Sequence, residues 1–259
     1  MKLNIVPART GVKWVKLGIQ TFFRQPLALA GLFFMFMAIM SIAALIPFVG
    51  GALALAFLPA ATLGLMAATQ EATRGNFPMP SILITAFRAD RAQLRSMLVL
   101  GALYAAGFLL VMGISALFDG GQFARMYLLG DRVSGDTMMS PDFQTAMWVA
   151  LCLYLPLSLL FWHAPALVHW HGVPPLKSLF FSIVACFRNF GAFIAYGLVW
   201  AAVFLATGLA FTLLAALLGS TDMVSVAMMP VALLMASMFF TSIYFTFRDS
   251  FVATDGETA

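Results

Sequence analysis

Charge is what this chain has least of. Asp, Glu, Lys and Arg make up 9% of the 259 residues, against about 25% in soluble domains. Segments 25–70, 96–118 and 223–247 contain none of the four. With 63% hydrophobic residues, where about 45–50% is ordinary, the chain cannot cover itself with a water-compatible surface. Cysteine is also scarce: Cys152 and Cys186 define no disulfide framework and are expected as thiols that pack as small hydrophobes. No Gly-rich phosphate loop, Walker sequence, zinc-protease helix or nucleophile elbow occurs, which argues against an enzyme. Ionisable groups inside the apolar runs are nearly absent, which argues against a pump or an ion-coupled transporter.

What is present is length of apolar sequence. A spanning helix needs about 20 mostly apolar residues, because about 1.5 Å of rise per residue must cross roughly 30 Å of hydrocarbon. That ruler predicts six spans: Leu27–Ile46, Gly51–Gln70, Met97–Phe118, Met147–Val168, Phe190–Leu218 and Met223–Phe247. Barrel strands would alternate apolar and polar residues over about ten positions, and these segments do not. The fold class is therefore an all-α integral membrane protein, read as one membrane domain over residues 1–259.

The net charge of +4 matters less than where the cations fall. Short cytoplasmic loops collect Lys and Arg. With the amino terminus inside, 12 of the 14 cations lie on the inner side, leaving Arg125 and Arg132 outside, so both termini are expected in the cytoplasm. No nucleic-acid partner is implied. The first 26 residues lack the apolar stretch and small-residue cleavage site of a secretory signal, so the first span is expected to remain.

A Phe-Arg pair recurs just ahead of the odd-numbered spans, at Phe23-Arg24, Phe87-Arg88 and Phe187-Arg188. Each pair ends or falls within a short amphipathic stretch. In GVKWVKLGIQTFFR the polar residues Lys13, Lys16, Gln20 and Arg24 fall on one helical face and Val12, Val15, Ile19 and Phe22 on the other. In SILITAFRADRAQLR the polar stripe is Ser81, Thr85, Arg88, Arg91 and Arg95; in PLKSLFFSIVACFRN it is Ser178, Ser182 and Asn189. Such helices lie along the headgroup boundary with cations toward water and anionic lipid. Each second span also carries a proline, Pro59, Pro156 or Pro230, which tends to kink a helix. Three units of one interfacial helix and two spans follow, over 11–75, 80–172 and 175–250; shared membrane composition is the competing explanation of the likeness.

Within the second span Ala52, Ala56, Ala60, Gly64 and Ala68 form a four-residue ladder of small side chains that lets backbones approach closely. Gly101 with Ala105, Gly197 with Ala201 and Ala232 with Ala236 are weaker copies. A dimer seam is the alternative use of such a stripe. Apart from thiols and tyrosines, His163, His169 and His171 are the titratable candidates near a span. His169 and His171 diverge on a helix, so interfacial anchoring beside Trp162 and Trp170 is preferred to a metal site. Met35, Met37, Met40, Met228, Met229, Met235 and Met238 are read as core filling rather than copper ligands. No metal or cofactor is expected. Segment 118–143 is the one sizeable external loop, with a short amphipathic helix around Phe123–Leu129; a solvated connector is preferred to a ligand site.

The opening WVKLGIQTFFRQP, residues 14–26, and the glycine-broken first hairpin at PFVGG, residues 47–51, resemble the uncharacterised six-helix inner-membrane proteins of proteobacteria. A looser similarity is to the membrane domain joined to some glycerophosphodiester phosphodiesterases, without room for their soluble catalytic domain. The resemblance implies a bacterial inner-membrane location and supplies no catalytic residue. The expected function is a non-enzymatic protein that binds or organises lipid or assists other membrane proteins, with membrane lipids, further copies of itself or other membrane proteins as partners. The alternative is a transporter or channel for a small or apolar solute, with a cavity lined by Thr62, Thr207, Thr212 or Ser237. Candidates for contact with anionic lipid are Lys13, Lys16, Arg24, Arg88, Arg91, Arg95 and Arg188.

Overall fold

The computed structural model describes residues 2–46, 49–88, 90–218 and 221–252. Pro47 and Phe48 of the PFVGG turn, Ala89 of the second amphipathic stretch and the C-terminal residues 253–259 lie outside the described residues. The chain runs β1 (Lys2–Leu3), α1 (Arg9–Arg24), α2 (Pro26–Ala44), α3 (Gly50–Thr73), a 3₁₀ segment (Pro80–Phe87), α4 (Arg91–Asp119), α5 (Gln122–Leu129), α6 (Gly135–Met138), α7 (Pro141–Phe161), α8 (Ala164–His171), α9 (Pro175–Arg188), α10 (Phe190–Leu218), α11 (Thr221–Ser250) and β2 (Phe251–Val252). Six stretches are long and apolar enough to cross a bilayer: α2, α3, α4, α7 continued by α8, α10 and α11. This is an all-α integral membrane protein with six transmembrane helices.

The helices outrun the apolar windows where capping chemistry lets them. α4 starts at Arg91 rather than Met97 because the Asp90 carboxylate accepts the Gln93 amide at 2.7 Å, closing an otherwise open helix end. α7 starts at Pro141 rather than Met147, with Ser140 as its cap and a proline in the first turn, where its missing amide costs nothing. Pro59, Pro156 and Pro230 each lie inside a continuous helix.

The segments ahead of spans one, three and five are α1, the 3₁₀ segment and α9. The second departs from the single amphipathic helix expected over residues 81–95. Its helix stops at Phe87, and Arg91 and Arg95 belong to α4. Asp90 is the reason: as a cap it takes an extended conformation, φ −63° and ψ 167°, and so separates the two segments.

The fourth span is not one continuous helix either. It stops at Phe161 and restarts at Ala164, with Pro165 in the first turn of α8. Proline has no amide to donate, and its ring crowds the carbonyl four residues earlier, here that of Phe161. Where the regular ladder would join the His163 amide to the Leu159 carbonyl, the Ser182 hydroxyl of α9 intervenes. It accepts from His163 N at 2.9 Å and donates to the Leu159 carbonyl at 2.8 Å. A side chain inserted into the backbone ladder is a recognised cause of helix breaks.

By internal packing the chain divides into two compact units, one of Met1–Met35, Thr62–Thr85 and Ala185–Ala259, the other of Phe36–Ala61 and Ala86–Val184. In the first, α1 packs on α10 and α11; in the second, α4 packs on α7, α5 and α8.

Candidate lipid-contact and packing sites

In the first unit α1 buries Gly11, Trp14, Val15, Gly18, Thr21 and Phe22. The expected apolar face of Val12, Val15, Ile19 and Phe22 is therefore corrected: Val15 and Phe22 are buried, but Val12 stays 48% exposed. The buried face is rotated toward the glycines. At Gly11 a Cβ would meet the Ala192 carbonyl and lie 2.7 Å from the Tyr196 amide nitrogen, and at Gly18 it would lie 2.8 Å from Ser242 Cα. Backbone contact of this kind, rather than side-chain hydrophobicity, decides which face docks where apolar surroundings supply little driving force. The face read as resting on lipid is therefore largely occupied by α10 and α11. Lys13, Lys16 and Arg24 project from the remaining surface and are exposed.

The stripe Ser178, Ser182 and Asn189, read as facing water, is buried. Ser182 fastens the break between α7 and α8. Asn189 fastens the chain ends: its Oδ1 accepts the Val6 amide at 2.8 Å, and its Nδ2 donates to the Asn4 carbonyl at 3.0 Å and the Ser250 hydroxyl at 3.4 Å. The Asn4 amide reaches the Ser250 carbonyl at 2.8 Å, and β1 pairs antiparallel with β2, Leu3 opposite Phe251. Trp14 Nε1 donates to Asp249 Oδ2 at 3.0 Å. A sequence stripe reports only that polar residues share a face. It does not report whether water or other polar groups satisfy them.

Ser242 organises the same unit. Its single proton goes to the Phe239 carbonyl at 2.6 Å, so it accepts from both Tyr196 Oη at 2.6 Å and Trp200 Nε1 at 3.2 Å. Nothing in the sequence pattern singles out this serine. Near the Asn189 clamp, the buried Cys186 thiol is pushed up to about 12 by desolvation.

The seven candidate cations divide between the units, with Lys13, Lys16, Arg24 and Arg188 in the first and Arg88, Arg91 and Arg95 in the second. All seven are exposed, and among the described residues no ion pair engages them. Other arginines are engaged: Arg74 with Glu71 at 2.8 Å, Arg125 with Asp131 at 2.9 Å and Arg248 with Asp249 at 2.8 Å.

Along the small-residue ladder, Ala52 is exposed, Ala56 half-buried, and Ala60, Gly64 and Ala68 buried. In the second unit the Ala56 carbonyl meets Gly101, and in the first a Cβ at Gly64 would lie 2.8 Å from Leu83 Cα. Gly197 and Ala201 are exposed on α10. Of the histidines, His163 is fully buried at the α7–α8 break, and His169 and His171 are partly exposed.

The segment 118–143 is folded. Gly120 and Gly121 adopt φ of +68° and +86°, a conformation that favours glycine. The Asp119 carboxylate there accepts the Gly121 amide at 2.8 Å and the Phe123 amide at 2.6 Å. α5 covers the short helix expected at Phe123–Leu129.

These features define a multi-pass α-helical membrane protein. The chain is 43% identical over 218 residues to a probable inner membrane protein of Burkholderia thailandensis, across 83% of this chain and 80% of that relative. It belongs to the family of that proteobacterial inner-membrane protein, and its location is the inner membrane. No family model matches the chain, and no solved structure matches it.

Proposed function

We propose that the protein is a non-catalytic membrane protein that binds and organises anionic lipid at its cytoplasmic edge, with both termini on that side. The observation that carries this reading is the contrast among its cations. Arg74, Arg125 and Arg248 have carboxylate partners, whereas Lys13 and Lys16 along α1, and Arg24, Arg88, Arg91, Arg95 and Arg188 near helix ends, are exposed with no ion pair among the described residues. Cations so placed attract anionic headgroups at about 1 kcal/mol each. Three of the four hydroxyls expected to line a solute path lend that alternative no support: Thr207 and Thr212 donate to carbonyls of their own helix, Val203 and Gly208, and Ser237 to Leu29.

The test is the triple variant Arg24→Gln, Arg88→Gln, Arg188→Gln, purified and assayed for co-purifying anionic lipid. A lower anionic fraction than wild type is expected; an unchanged fraction removes the proposal. The orientation is checked by tags after Ala259 and within 118–143, which should be accessible from opposite faces of a sealed cell.

A further inference from the structure

The second unit contains a cavity of about 350 Å³ walled by Phe108 and Met112 of α4, Phe123 and Tyr127 of α5, and Met147, Trp148, Ala150, Leu151 and Tyr154 of α7. Its volume falls in the roughly 300–1,000 Å³ range of small-molecule sites. The wall is aromatic and aliphatic, with two phenol groups and the Trp148 indole N–H as its polar groups. The Tyr154 hydroxyl is already engaged, 3.4 Å from that of Tyr104. Trp148 and Leu151 are 57% and 52% exposed on a transmembrane helix, so the cavity opens sideways to the hydrocarbon.

α5 partitions two environments. Phe123 and Tyr127, four residues apart, line the cavity, while Gln122 and Arg125 line a separate polar pocket with Asp131, Arg132, Ser134 and Thr137. A helix with that division lies in the membrane interface with its apolar face down. The cavity is then on the hydrocarbon side, where the available occupant is a lipid chain rather than a dissolved solute. In the polar pocket Arg125 is paired with Asp131 Oδ2 at 2.9 Å, while Arg132 and the other carboxylate oxygen of Asp131 engage no partner among the described residues; a headgroup bearing a phosphate and an amine can meet both, which the lone carboxylate of a fatty acid cannot.

We propose that this cavity binds one alkyl chain of a zwitterionic phospholipid from the leaflet that α5 faces. The site is independent of the cytoplasmic cations. Its walls are preformed: Phe108 packs against Tyr127 and Tyr154 with ring centroids 5.8 and 6.0 Å apart, and Phe123 against Phe143 at 5.7 Å.

Trp148 provides the probe. The full-length protein is reconstituted into vesicles containing increasing fractions of phosphatidylethanolamine brominated on one chain, with brominated stearic acid as a second arm. The Trp148 signal is the difference between wild type and Trp148→Phe. Quenching should saturate at low mole fraction of the brominated phospholipid, whereas annular contact follows mole fraction. Filling the cavity with Ala150→Leu, or with the partly exposed and less fold-sensitive Met147→Phe, should weaken that saturable phase at least about fivefold, the lower bound for overpacking. Leu155→Phe, lipid-exposed on the same helix and outside the cavity, should leave it unchanged. Quenching linear in mole fraction, saturation with the fatty acid alone, or indifference to both filling variants would each overturn the proposal.

Discussion

Ser182→Ala removes two hydrogen bonds at once, one accepted from the His163 amide at 2.9 Å and one donated to the Leu159 carbonyl at 2.8 Å. At about 0.5–1.5 kcal/mol net per bond, the loss is roughly 1–3 kcal/mol. Interhelical bonds in membrane proteins average about 0.6 kcal/mol, which favours the lower half of that range. For a chain of this size the melting temperature falls about 2–4 °C per kcal/mol, so a drop of about 2–8 °C is expected in detergent, read by circular dichroism. Amide exchange at His163 should accelerate in parallel. The proline supplies the control. In Pro165→Ala the restored amide can reach the Phe161 carbonyl, the α7–α8 junction can close as regular helix, and Ser182 becomes redundant. Adding Ser182→Ala to that background should then cost less than about 0.5 kcal/mol, a coupling measured by a double-mutant cycle. The reasoning fails if Ser182→Ala alone costs under about 0.5 kcal/mol with exchange at His163 unchanged, or if the two substitutions are strictly additive.

Gly18→Ala places a Cβ 2.8 Å from Ser242 Cα and should destabilise by about 1–3 kcal/mol as α1 is pushed off α11; Gly31→Ala, with nothing within 4 Å of its Cβ position, should be near neutral in the same melting assay. Ser242→Ala removes its bonds to Tyr196, Trp200 and the Phe239 carbonyl and should cost about 2–4 kcal/mol, with a shift in tryptophan emission that a remote serine substitution does not produce. The Cys186 thiol, pushed up to about 12 by burial, holds about one part in ten thousand of thiolate at pH 8; it should resist maleimide in the folded protein and react on denaturation, and equal rates by peptide mass spectrometry would refute its burial.

The sequence by itself determined the class. Six charge-poor stretches near the length of a bilayer crossing admit helices and little else, because a lipid-exposed backbone must satisfy its own hydrogen bonds. The four-residue spacing of small side chains along α3 is a sequence feature, but the folded chain buries only Ala60, Gly64 and Ala68 of that ladder and leaves Ala52 exposed. Helix ends were less legible: Asp90 and Ser140 extend α4 and α7 beyond the apolar windows through caps that hydropathy does not register. Tertiary structure decided which face of each element turns inward. α1 docks by Gly11 and Gly18 instead of Val12, and Ser178, Ser182 and Asn189 point into the protein although their spacing suits a wetted stripe. Periodicity records which residues share a face; what satisfies that face depends on partners distant in the chain, such as Asn4 and Ser250 around Asn189 or Leu159 and His163 around Ser182. A polar side chain buried against a broken backbone and one facing water leave the same mark on the sequence, and only the contacts of the folded chain tell them apart.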